Sequence, residues 1–567
     1  MKIDYEDHPR GRYDPAWALI ALSDIVPSDR NQIYLIDHVW TFKPNNIKRD
    51  LQVIPGLLER ICNLMQTPKC DNREGSIEII CKDIWRYTQT YNFGGPDFSP
   101  EERVPMWYVL DEVGTAITHS DKPNFRTVPF YHAPEQLAYT LLFPIDVISE
   151  GDVITRDFVE GVGDSQQREA MLIPWKSISY TGDYTHVEAD ANYYLDGHIV
   201  ETLPNLDRLH NSIRVKAIKL KVYSEYKYIN DYLTCNDFEI VDNENDADIL
   251  WYLNHFKMFK ELSEDSPQKF VNQFPFEYVI TTKDLLANVA RTCTLSNKLL
   301  NDLETHPLWL PTTFNLKIEL LKFAEYYMER NKLGLDNHWI CKPYNLARGL
   351  DTYITQNLEF ICRLAASGPK IAQKYLENPV LFERPNIGLV KFDIRYVILL
   401  TSVRPTKIYV YNNFFLRFSN KPFALNNFDD YEQHFTVMNY NEETPLYRLM
   451  CDEFKDAWAK QYENFDWNSV EKSIFSMFSE LFKAATCKEP PFGIGESPQS
   501  RALYAADLML TWRNTGDGET YNIQPKLLEI NWMPDCQRAC EYYPNFYNDI
   551  FSVMFFDKYV DTCVRIL

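Results

Sequence analysis

Two strand-like runs near the C-terminus, residues 505–510 and 526–531, constrain this chain most, because apolar residues surround oxygen-bearing side chains in both. Side chains on a strand alternate between its two faces, so Glu529 and Asn531 project to the same side. A neighbouring antiparallel strand would place Asp507 beside them. Two carboxylates and an amide oxygen suit Mg²⁺, which completes its coordination with water and phosphate. The spacing alone fits equally well with two ordinary strands that share a polar face.

Basic segments precede these runs in the sequence. Lys342 lies near the end of a short run at 338–343, and a polar segment follows at 344–349, an arrangement that can hold phosphate. Residues 373–379 predict a strand end that enters a proline turn, where a nucleotide base would meet backbone donors and acceptors. In residues 391–396, charged and apolar side chains alternate, which by itself is more typical of a solvated sheet face. Several basic segments ahead of an acidic pair favour a nucleotide site instead.

Taken in order, short segments between residues 215 and 567 resemble the tubulin-tyrosine ligase-like family, whose catalytic region has the ATP-grasp fold. The matching segments are 272–275, 283–286, 310–314, 339–343, 373–376, 391–395, 416–417, the single residue Asp507, and 528–531. Each piece is short, but their number and their collinear order make the resemblance specific. It implies an α+β multidomain chain that contains an ATP-grasp domain of this type.

The resemblance also implies a ligase chemistry, in which ATP phosphorylates a carboxylate and an amine then displaces the acyl phosphate. Phosphoryl transfer is catalysed mainly by positioning and charge neutralisation, so such a site needs Mg²⁺ ligands and basic residues rather than a nucleophile. By this resemblance, the ATP contacts would be Lys342, Arg348, Gly349, Gln373, Lys374, Tyr375 and Leu376, and the Mg²⁺ ligands would be Asp507, Glu529 and Asn531. Arg395 and Arg417 match positions near the acceptor carboxylate, for which a guanidinium is a natural clamp.

The sequence departs from the family pattern at two places. Active relatives carry two glycines in the phosphate-binding loop, whereas here Asp351 occupies the second glycine position. Asp351 adds a Cβ atom where the backbone must approach phosphate closely, and a negative charge beside the phosphates. A Leu-Thr-Asn triplet on the acceptor side is replaced by Phe435, Thr436 and Val437, so that an amide becomes a hydrocarbon. These departures predict nucleotide binding with little or no ligase turnover.

Three functions fit the sequence. The leading one is a protein that binds ATP, Mg²⁺ and tubulin or microtubules and regulates tubulin tyrosination and detyrosination, with weak or absent ligase activity. The first alternative is an active ATP-dependent ligase that adds an amino acid to a tubulin tail or another protein tail. The second alternative is a chromatin-associated protein whose N-terminal part binds histone tails.

Composition restricts the partners of the chain. The formal net charge is −22 and the pI is about 5.0, so an acidic tubulin tail would be repelled unless basic residues were concentrated at its groove. No basic tail or Lys/Arg-rich helix is present, which argues against DNA or RNA binding. We expect no membrane association, because no apolar run is long enough to span a bilayer and the N-terminus lacks a signal core. Twelve scattered cysteines indicate reduced thiols, so the expected location is the cytoplasm and the microtubule cytoskeleton, with the nucleus left open.

The N-terminal part is predicted to contain two regions. Residues 1–95 are expected to be helical, because apolar residues recur at helical spacing at 14–20 and 51–65. Residues 96–210 change to short strands broken by Gly and Pro, which predicts a β-rich module. Within this module, residues 151–158 resemble the closing strand of a SET domain, although no methyltransferase site is evident.

Residues 211–567 form the predicted ATP-grasp domain. Strands at 213–218 and 219–223 would open it, after a linker at 201–207. The Gly-containing segment 513–518 is predicted to be the hairpin turn between the two strand-like runs that carry the oxygen ligands.

Overall fold

The computed structural model describes residues 1–4, 13, 17–67, 72–91, 99, 101–210, 219–293, 303–344, 349–436, 447–514 and 521–567. Helices and strands are mixed throughout, in agreement with the predicted α+β class. Two compact units are present, and each is built from two stretches of chain. Unit 1 comprises residues 1–187 and 314–374, and unit 2 comprises residues 188–313 and 375–567. These units do not coincide with the predicted divisions after residues 95 and 210.

The N-terminal stretch of unit 1 alternates short strands and helices. Its strands are β1 (Lys2–Asp4), β2 (Ala18–Ile20), β3 (Tyr34–Ile36), β4 (His38–Phe42), β5 (Thr88–Tyr91), β6 (Met106–Leu110), β7 (Thr118–His119), β8 (Phe125–His132), β9 (Leu137–Pro144) and β10 (Thr155–Arg156). Its helices are α1 (Ile47–Val53), α2 (Leu57–Met65), α3 (Arg73–Asp83), α4 (Glu112–Thr115) and α5 (Ser165–Met171). Two three-stranded antiparallel sheets have the orders β3-β9-β8 and β4-β6-β5.

The prediction of a helical region over residues 1–95 is wrong in part. Ala18–Ile20 is a strand paired with β1, and β3, β4 and β5 join sheets with strands beyond residue 105. Leu19 is 2% exposed between two half-buried neighbours, an alternation that a short apolar window does not distinguish from a helix. Residues 14–16 lie outside the described residues. The helical prediction for 51–65 is confirmed by the end of α1 and the whole of α2.

The first stretch of unit 2 contains a small parallel sheet. Its strands are β11 (Leu220–Ser224), β12 (Phe238–Ile240), β13 (Ile249–Trp251) and β14 (Phe270–Val271), in the order β12-β11-β13-β14. Its helices are α6 (Ala191–Leu195), α7 (Leu206–His210), α8 (Lys227–Tyr232), α9 (Phe259–Asp265), α10 (Tyr278–Thr281) and α11 (Lys283–Arg291). The predicted strand at 219–223 is confirmed as β11, whereas residues 213–218 lie outside the described residues.

The chain returns to unit 1 through a second sheet. The elements are β15 (Thr313–Asn315), α12 (Leu320–Lys332), β16 (Trp339–Pro343), β17 (Tyr353–Thr355), α13 (Leu358–Leu364) and β18 (Lys370–Lys374), with strand order β15-β18-β16-β17. Burial alternates along β16, so Trp339 is buried against Phe323 of α12 whereas Lys342 lies on the less buried face. This alternation leaves Lys342 on the more accessible side of the strand.

The last stretch of unit 2 builds a five-stranded antiparallel sheet of order β24-β23-β21-β22-β25. The strands of this stretch are β19 (Phe382–Arg384), β20 (Gly388–Val390), β21 (Phe392–Val403), β22 (Thr406–Phe418), β23 (Ala502–Asn514), β24 (Tyr521–Trp532) and β25 (Cys563–Arg565). The helices are α14 (Tyr431–His434), α15 (Cys451–Gln461), α16 (Trp467–Cys487), α17 (Gln537–Tyr542) and α18 (Phe546–Phe556). β23 and β24 pair in an antiparallel register as predicted, and the residues that join them, 515–520, lie outside the described residues.

Apolar cores lie on both faces of this sheet. Ile398 of β21 belongs to the core that contains Phe478 of α16, whereas the adjacent Leu399 belongs to the core that contains Phe551 of α18. Strands covered on both faces are apolar almost throughout, so a charged residue in such a strand needs a partner. In the described part of the chain, no helix has the length and apolarity needed to cross a membrane.

Candidate functional site

The predicted ligands Asp507, Glu529 and Asn531 lie together on two adjacent strands of unit 2. Asp507 of β23 is directly opposite Glu529 of β24. Nδ2 of Asn531 lies 3.2 Å from Oδ2 of Asp507 and 3.2 Å from Oε1 of Glu529. Strand alternation puts residues 529 and 531 on one face, and the register of β23 brings Asp507 to the same face. The predicted convergence of the three side chains is therefore confirmed.

Two arginines from β21 and β22 bind the carboxylate of Asp507. Nε and Nη2 of Arg395 donate to its two oxygens at 2.7 Å each, which is a bidentate arrangement. Nη2 of Arg417 lies 2.8 Å from Oδ2 of Asp507, and Nε of Arg417 donates to Asp393 at 2.8 and 3.0 Å. The hydroxyl of Thr436 also donates to Asp393, at 2.5 Å. The arginines expected near an acceptor carboxylate thus lie against two carboxylates of the chain itself.

Burial and ion pairing together set the electrostatics of this cluster. Burial raises the pKa of Asp393 above its usual value, Asp507 adds to the rise, and Arg417 opposes it. Burial disfavours the charge on Arg417, but Asp393 and Asp507 outweigh this effect and raise the pKa of Arg417 well above its usual range. The pKa of Arg395 is also raised, because Asp507 outweighs the cost of burial. Both guanidinium groups therefore stay charged around neutral pH.

Glu529 also has a basic partner. Nζ of Lys283, the first residue of α11, lies 3.2 Å from Oε2 of Glu529, and the two side chains are 13% and 28% exposed. The cluster therefore matches three carboxylates with three cations. Neither Lys283 nor Asp393 is among the predicted site residues. The sequence could have indicated Asp393, because strand alternation places residue 393 on the same face as the predicted site residue Arg395.

The cluster fits Mg²⁺ in its donor chemistry. Mg²⁺ prefers oxygen ligands and is usually bound by one or two carboxylates together with water and phosphate oxygens. Asp507 and Glu529 offer carboxylates, and Asn531 would offer Oδ1 once its amide turned over to exchange oxygen and nitrogen. Among the described residues, no group of three His, Cys, Asp or Glu side chains could hold a metal ion. A metal at this cluster would therefore need ligands from outside the protein, and the ligand role of these residues stays a prediction.

In unit 1, the predicted nucleotide residues lie on the paired strands β16 and β18. Lys342 is half-buried on β16, and Gln373 of β18 is 5% exposed. Nζ of Lys374 lies 2.6 Å from Oδ1 of Asp336, and Nδ1 of His338 lies 2.6 Å from Oδ2 of the same carboxylate. Burial alone would raise the pKa of Asp336, but His338 and Lys374 hold it well below its usual range. A carboxylate of the chain therefore engages Lys374.

Asp351, at the position of the second glycine, has a glycine-like backbone but a buried charge. Its φ is +53°, in the left-handed region that favours glycine. Oδ2 of Asp351 lies 2.6 Å from Nζ of Lys370, and Oδ1 accepts a hydrogen bond from the hydroxyl of Tyr353 at 2.7 Å. A buried lysine therefore pairs with the negative charge of Asp351, and the effect of this charge on bound phosphates stays a prediction. Burial lowers the pKa of Lys370, and Asp351 partly offsets this effect.

The predicted loop and acceptor side are described only in part. Arg348 and Val437 lie outside the described residues. Gly349 has a φ of +68°, which is a conformation that glycine adopts at little cost. Leu376 follows β18 and is half-buried. The predicted contacts of Arg348, Gly349 and Leu376 with ATP stay predictions.

Tyr375, also predicted to contact nucleotide, belongs to a buried polar group in unit 2. Its hydroxyl lies 2.8 Å from Nδ1 of His434 and accepts a hydrogen bond from Nζ of Lys391 at 2.9 Å. Nε2 of His434 lies 2.7 Å from the carbonyl oxygen of Asn426. Burial lowers the pKa of Lys391 to about 7. This lysine differs from Lys370, because its hydrogen bonds go to neutral oxygens rather than to a carboxylate.

Comparison with known proteins assigns the chain to a family. The family model described as Tubulin-tyrosine ligase family matches residues 261–565. The chain is 44% identical to tubulin–tyrosine ligase-like protein 12 of Mus musculus over 552 residues, which are 95% of this chain and 83% of that protein. The chain belongs to the tubulin-tyrosine ligase family. The family resemblance inferred from the short segments is therefore confirmed.

Other family members match at lower identity. Tubulin–tyrosine ligase-like protein 12 of Caenorhabditis elegans is 32% identical over 602 residues, with 95% of this chain and 89% of that protein covered. Tubulin polyglutamylase TTLL5 of Homo sapiens is 25% identical over 423 residues, with 69% of this chain and 29% of that protein covered. A model of the Tubulin tyrosine ligase SET-like domain matches residues 19–179. The SET-like domain is therefore confirmed, and it includes most of the region predicted as a separate helical segment.

Proposed function

We propose that this chain binds Mg-ATP and tubulin and regulates tubulin tyrosination and detyrosination, and hence microtubule dynamics, with weak or absent ligase activity. Family membership supports tubulin as the partner, because the relatives reported above are named for tubulin. The proposed place of action is the microtubule cytoskeleton of the cytoplasm. Those names do not refer to histones, and no contact described above favours the histone-tail alternative.

One observation carries the proposal of weak catalysis: charged residues predicted to contact ligands are already paired within the chain. Asp507 accepts hydrogen bonds from two arginines, Glu529 faces Lys283, and Lys374 is bound to Asp336. A residue in such a pair must give it up, or share it, before it serves a ligand. Breaking a buried ion pair costs about 3–5 kcal/mol. Each ligand contact would therefore compete with a contact inside the chain.

ATP with Mg²⁺ would supply the phosphoryl group that activates a carboxylate. Asp507, Glu529 and Asn531 would hold the metal, and Lys342 would neutralise phosphate charge. The bidentate bonds from Arg395 hold the Asp507 carboxylate in one orientation, so a metal would have to share this carboxylate with the arginine. The neutralised pair of Asp351 adds no net charge to the glycine loop, which supports nucleotide binding.

The alternative of an active ligase is favoured by a different observation. The three predicted Mg²⁺ ligands keep a compact arrangement, with Asn531 within 3.2 Å of both carboxylates. The loop also keeps left-handed backbone at residues 349 and 351, as a two-glycine loop would. An enzyme of this kind would add an amino acid to a tubulin tail or another protein tail. The two functions differ in whether the ion pairs rearrange when substrates bind.

Incubation of the purified chain with tubulin, ATP, Mg²⁺ and labelled Tyr, Glu or Gly separates the two functions. The proposal expects no ATP-dependent incorporation above that of a Glu529→Gln control. It also expects co-sedimentation with microtubules and a higher thermal midpoint with Mg-ATP, because a ligand that binds the folded state stabilises it. Incorporation that Glu529→Gln abolishes would establish the active ligase. A chain that neither co-sediments nor responds to Mg-ATP would contradict the proposed binding functions.

A further inference from the structure

A groove in unit 2 lies at the end of the five-stranded sheet that is remote from the Asp507 cluster. Its volume is about 730 Å³, which is in the range of ligand-binding pockets. Its walls come from β14, β21, β22, the segment before β23 and the C-terminal end of α18. Arg395 and Val403 are eight residues apart on β21, so the groove begins about 26 Å along the strand from Arg395. The groove is therefore distinct from the predicted ligand residues.

This groove has an apolar floor and a charged rim. Phe270 and Met554 are buried at the floor, and Phe556 is half-buried. Arg404 and Asp557 are exposed at the rim. An apolar centre surrounded by a polar rim is the usual anatomy of a surface that binds another protein.

One strand edge in the groove has no neighbouring strand. β21 pairs with β22 as far as Val403, but its pairing with β23 ends at Leu400. Residues 401–403 line the groove, and among the described residues no strand pairs with their second edge. An extended peptide can add itself to such an edge through main-chain hydrogen bonds. The unpaired edge therefore favours a peptide over a small molecule as the occupant.

The charges of the groove favour a basic occupant. Its lining contains three cations and three carboxylates, but two of the cations are already engaged. Arg501 donates to a carbonyl oxygen of α18 at 2.8 Å, and Arg404 is paired with Glu489, which is not part of the lining. Asp248, by contrast, accepts a hydrogen bond from the backbone N–H of Lys221 at 2.8 Å and forms no ion pair with any described residue. The net charge of −22 adds long-range attraction for a basic partner.

We propose that this groove binds an extended segment of a partner protein in which apolar and basic residues alternate. The backbone of the segment pairs with the unpaired edge of residues 401–403. Side chains of an extended chain alternate between two sides, so the apolar side chains pack on the floor and the basic side chains face Asp248 at the rim. The inference goes beyond the proposed function, because it uses none of the residues predicted to hold ATP or Mg²⁺.

Three labelled hexapeptides, titrated against the full chain by fluorescence anisotropy at low ionic strength, test the assignment. The first alternates leucine with lysine, the second serine with lysine, and the third leucine with glutamate. We expect the first to bind about tenfold more tightly than the other two, because it alone combines apolar burial with positive charge. Two further versions of it are N-methylated at alternate residues. The version that loses the main-chain donors facing β21 should bind about fivefold more weakly than the other.

Variants of the chain locate the binding site. Asp248→Asn removes a charge but keeps an oxygen that can accept from the backbone N–H of Lys221, and should weaken binding of the leucine–lysine peptide about fivefold. The matched control, Asp246→Asn, removes the same charge from an exposed residue outside the groove and should change affinity less than about twofold. Ser402→Trp fills the groove without removing a charge and should abolish binding. Circular dichroism checks that each variant is folded.

Several outcomes would overturn the proposal. Equal affinity for the serine–lysine peptide, or equal weakening by Asp248→Asn and Asp246→Asn, would show that binding follows net charge alone. Wild-type affinity in Ser402→Trp would place the peptide elsewhere, and equal affinity of the two N-methylated versions would remove the backbone pairing. Failure of the wild type to bind the leucine–lysine peptide would remove the site. Displacement by an equal concentration of spermidine would assign the groove to a small polycation, and a dimer in sedimentation velocity that Ser402→Trp dissociates would assign it to a second copy of the chain.

Discussion

The two units organise the charges of their predicted ligand residues differently. In unit 2 these charges form one connected cluster centred on Asp507, to which arginines from two strands donate. In unit 1 the predicted Lys374 pairs with Asp336, and Asp351 of the predicted glycine loop pairs separately with Lys370. In a connected cluster the loss of one member leaves several partners unsatisfied, whereas separate pairs fail independently. In the proposed function, ligand binding would therefore compete with a connected cluster of ion pairs in unit 2 and with separate lysine–aspartate pairs in unit 1.

Asp507→Asn tests the connected cluster and should have the largest effect. The substitution leaves Arg395 without a carboxylate and Arg417 with Asp393 alone, in surroundings that are largely buried. We expect the free energy of unfolding to fall by about 3–5 kcal/mol. Urea denaturation of the full chain, followed by circular dichroism and by tryptophan fluorescence, measures the change.

Glu529→Gln is the matched control for Asp507→Asn. It also converts a carboxylate of the cluster into an amide, but Glu529 is 28% exposed, lies beside Lys283 and accepts a hydrogen bond from the neutral amide of Asn531. We expect a loss of only about 1 kcal/mol, after allowance for solvent screening. If the two variants were equally destabilised, the cluster would behave as independent pairs, and the contrast between the units would be lost.

Asp351→Ala tests an isolated pair and should have a smaller effect. It leaves Lys370 buried without its carboxylate, although Nζ of Lys370 keeps contacts with the side-chain and carbonyl oxygens of Ser367 at 2.8 and 3.0 Å. We expect a loss of about 2–3 kcal/mol in the free energy of unfolding. Asp351→Gly should be milder than Asp351→Ala, because the φ of +53° suits glycine.

The double variant Asp351→Gly with Lys370→Met separates charge from backbone strain. It removes both members of the pair, so no buried charge is left unmatched and much of the lost stability should return. Unfolding curves of the wild type, the two single variants and the double variant form a thermodynamic cycle. A double variant as unstable as the sum of the single variants would show that the ion pair does not account for the effect.

The candidate site could be predicted where strand geometry determines it. Alternation puts Glu529 and Asn531 on one face, and the hairpin register, which is local, adds Asp507. The ion partners could not be predicted in this way. Arg395 and Asp507 are 112 residues apart, and Lys374 and Asp336 are 38 apart, so their pairing depends on tertiary packing rather than on spacing. The sequence therefore located the candidate ligands but not what neutralises them.

The fold shows the same division between local and long-range information. The apolar spacing of residues 51–65 correctly predicted helices, because helical contacts are made within a few residues. Ala18–Ile20 was predicted as helix, but it forms a strand because it pairs with β1, which lies earlier in the chain. The discontinuous composition of the two units likewise arises from contacts between distant stretches, which no local pattern reveals.

Lys391 of unit 2 is a buried lysine that, unlike Lys370 of unit 1, forms its hydrogen bonds with neutral oxygens. Burial lowers its pKa from the usual 10.5 to about 7. The unfolded chain therefore binds more protons than the folded chain between pH 7 and 10.5, and the contribution of Lys391 to stability rises with pH over this window. We expect Lys391→Met to reduce the rise in stability between pH 7 and 9. Thermal midpoints at pH 7, 8 and 9 measure it, with Lys472→Met on the exposed face of α16 as the control. A rise as steep in Lys391→Met as in that control would contradict the expectation.

Lys374→Met should have the smallest effect, because His338 remains as a second partner of Asp336 after the lysine is lost. We expect a loss of about 1 kcal/mol near neutral pH. The folded-state pKa of Asp336 lies well below the usual 3.8, so the stabilisation from its pairing is present above that value and is lost as the pH falls below it. The difference between variant and wild type in urea denaturation should therefore be complete at pH 6 and begin to shrink only when the pH falls well below 3.8. If Lys374→Met destabilised the chain as strongly as Asp507→Asn, the charges of unit 1 would be as strongly coupled as those of unit 2. The proposed difference between separate pairs and a connected cluster would then be wrong.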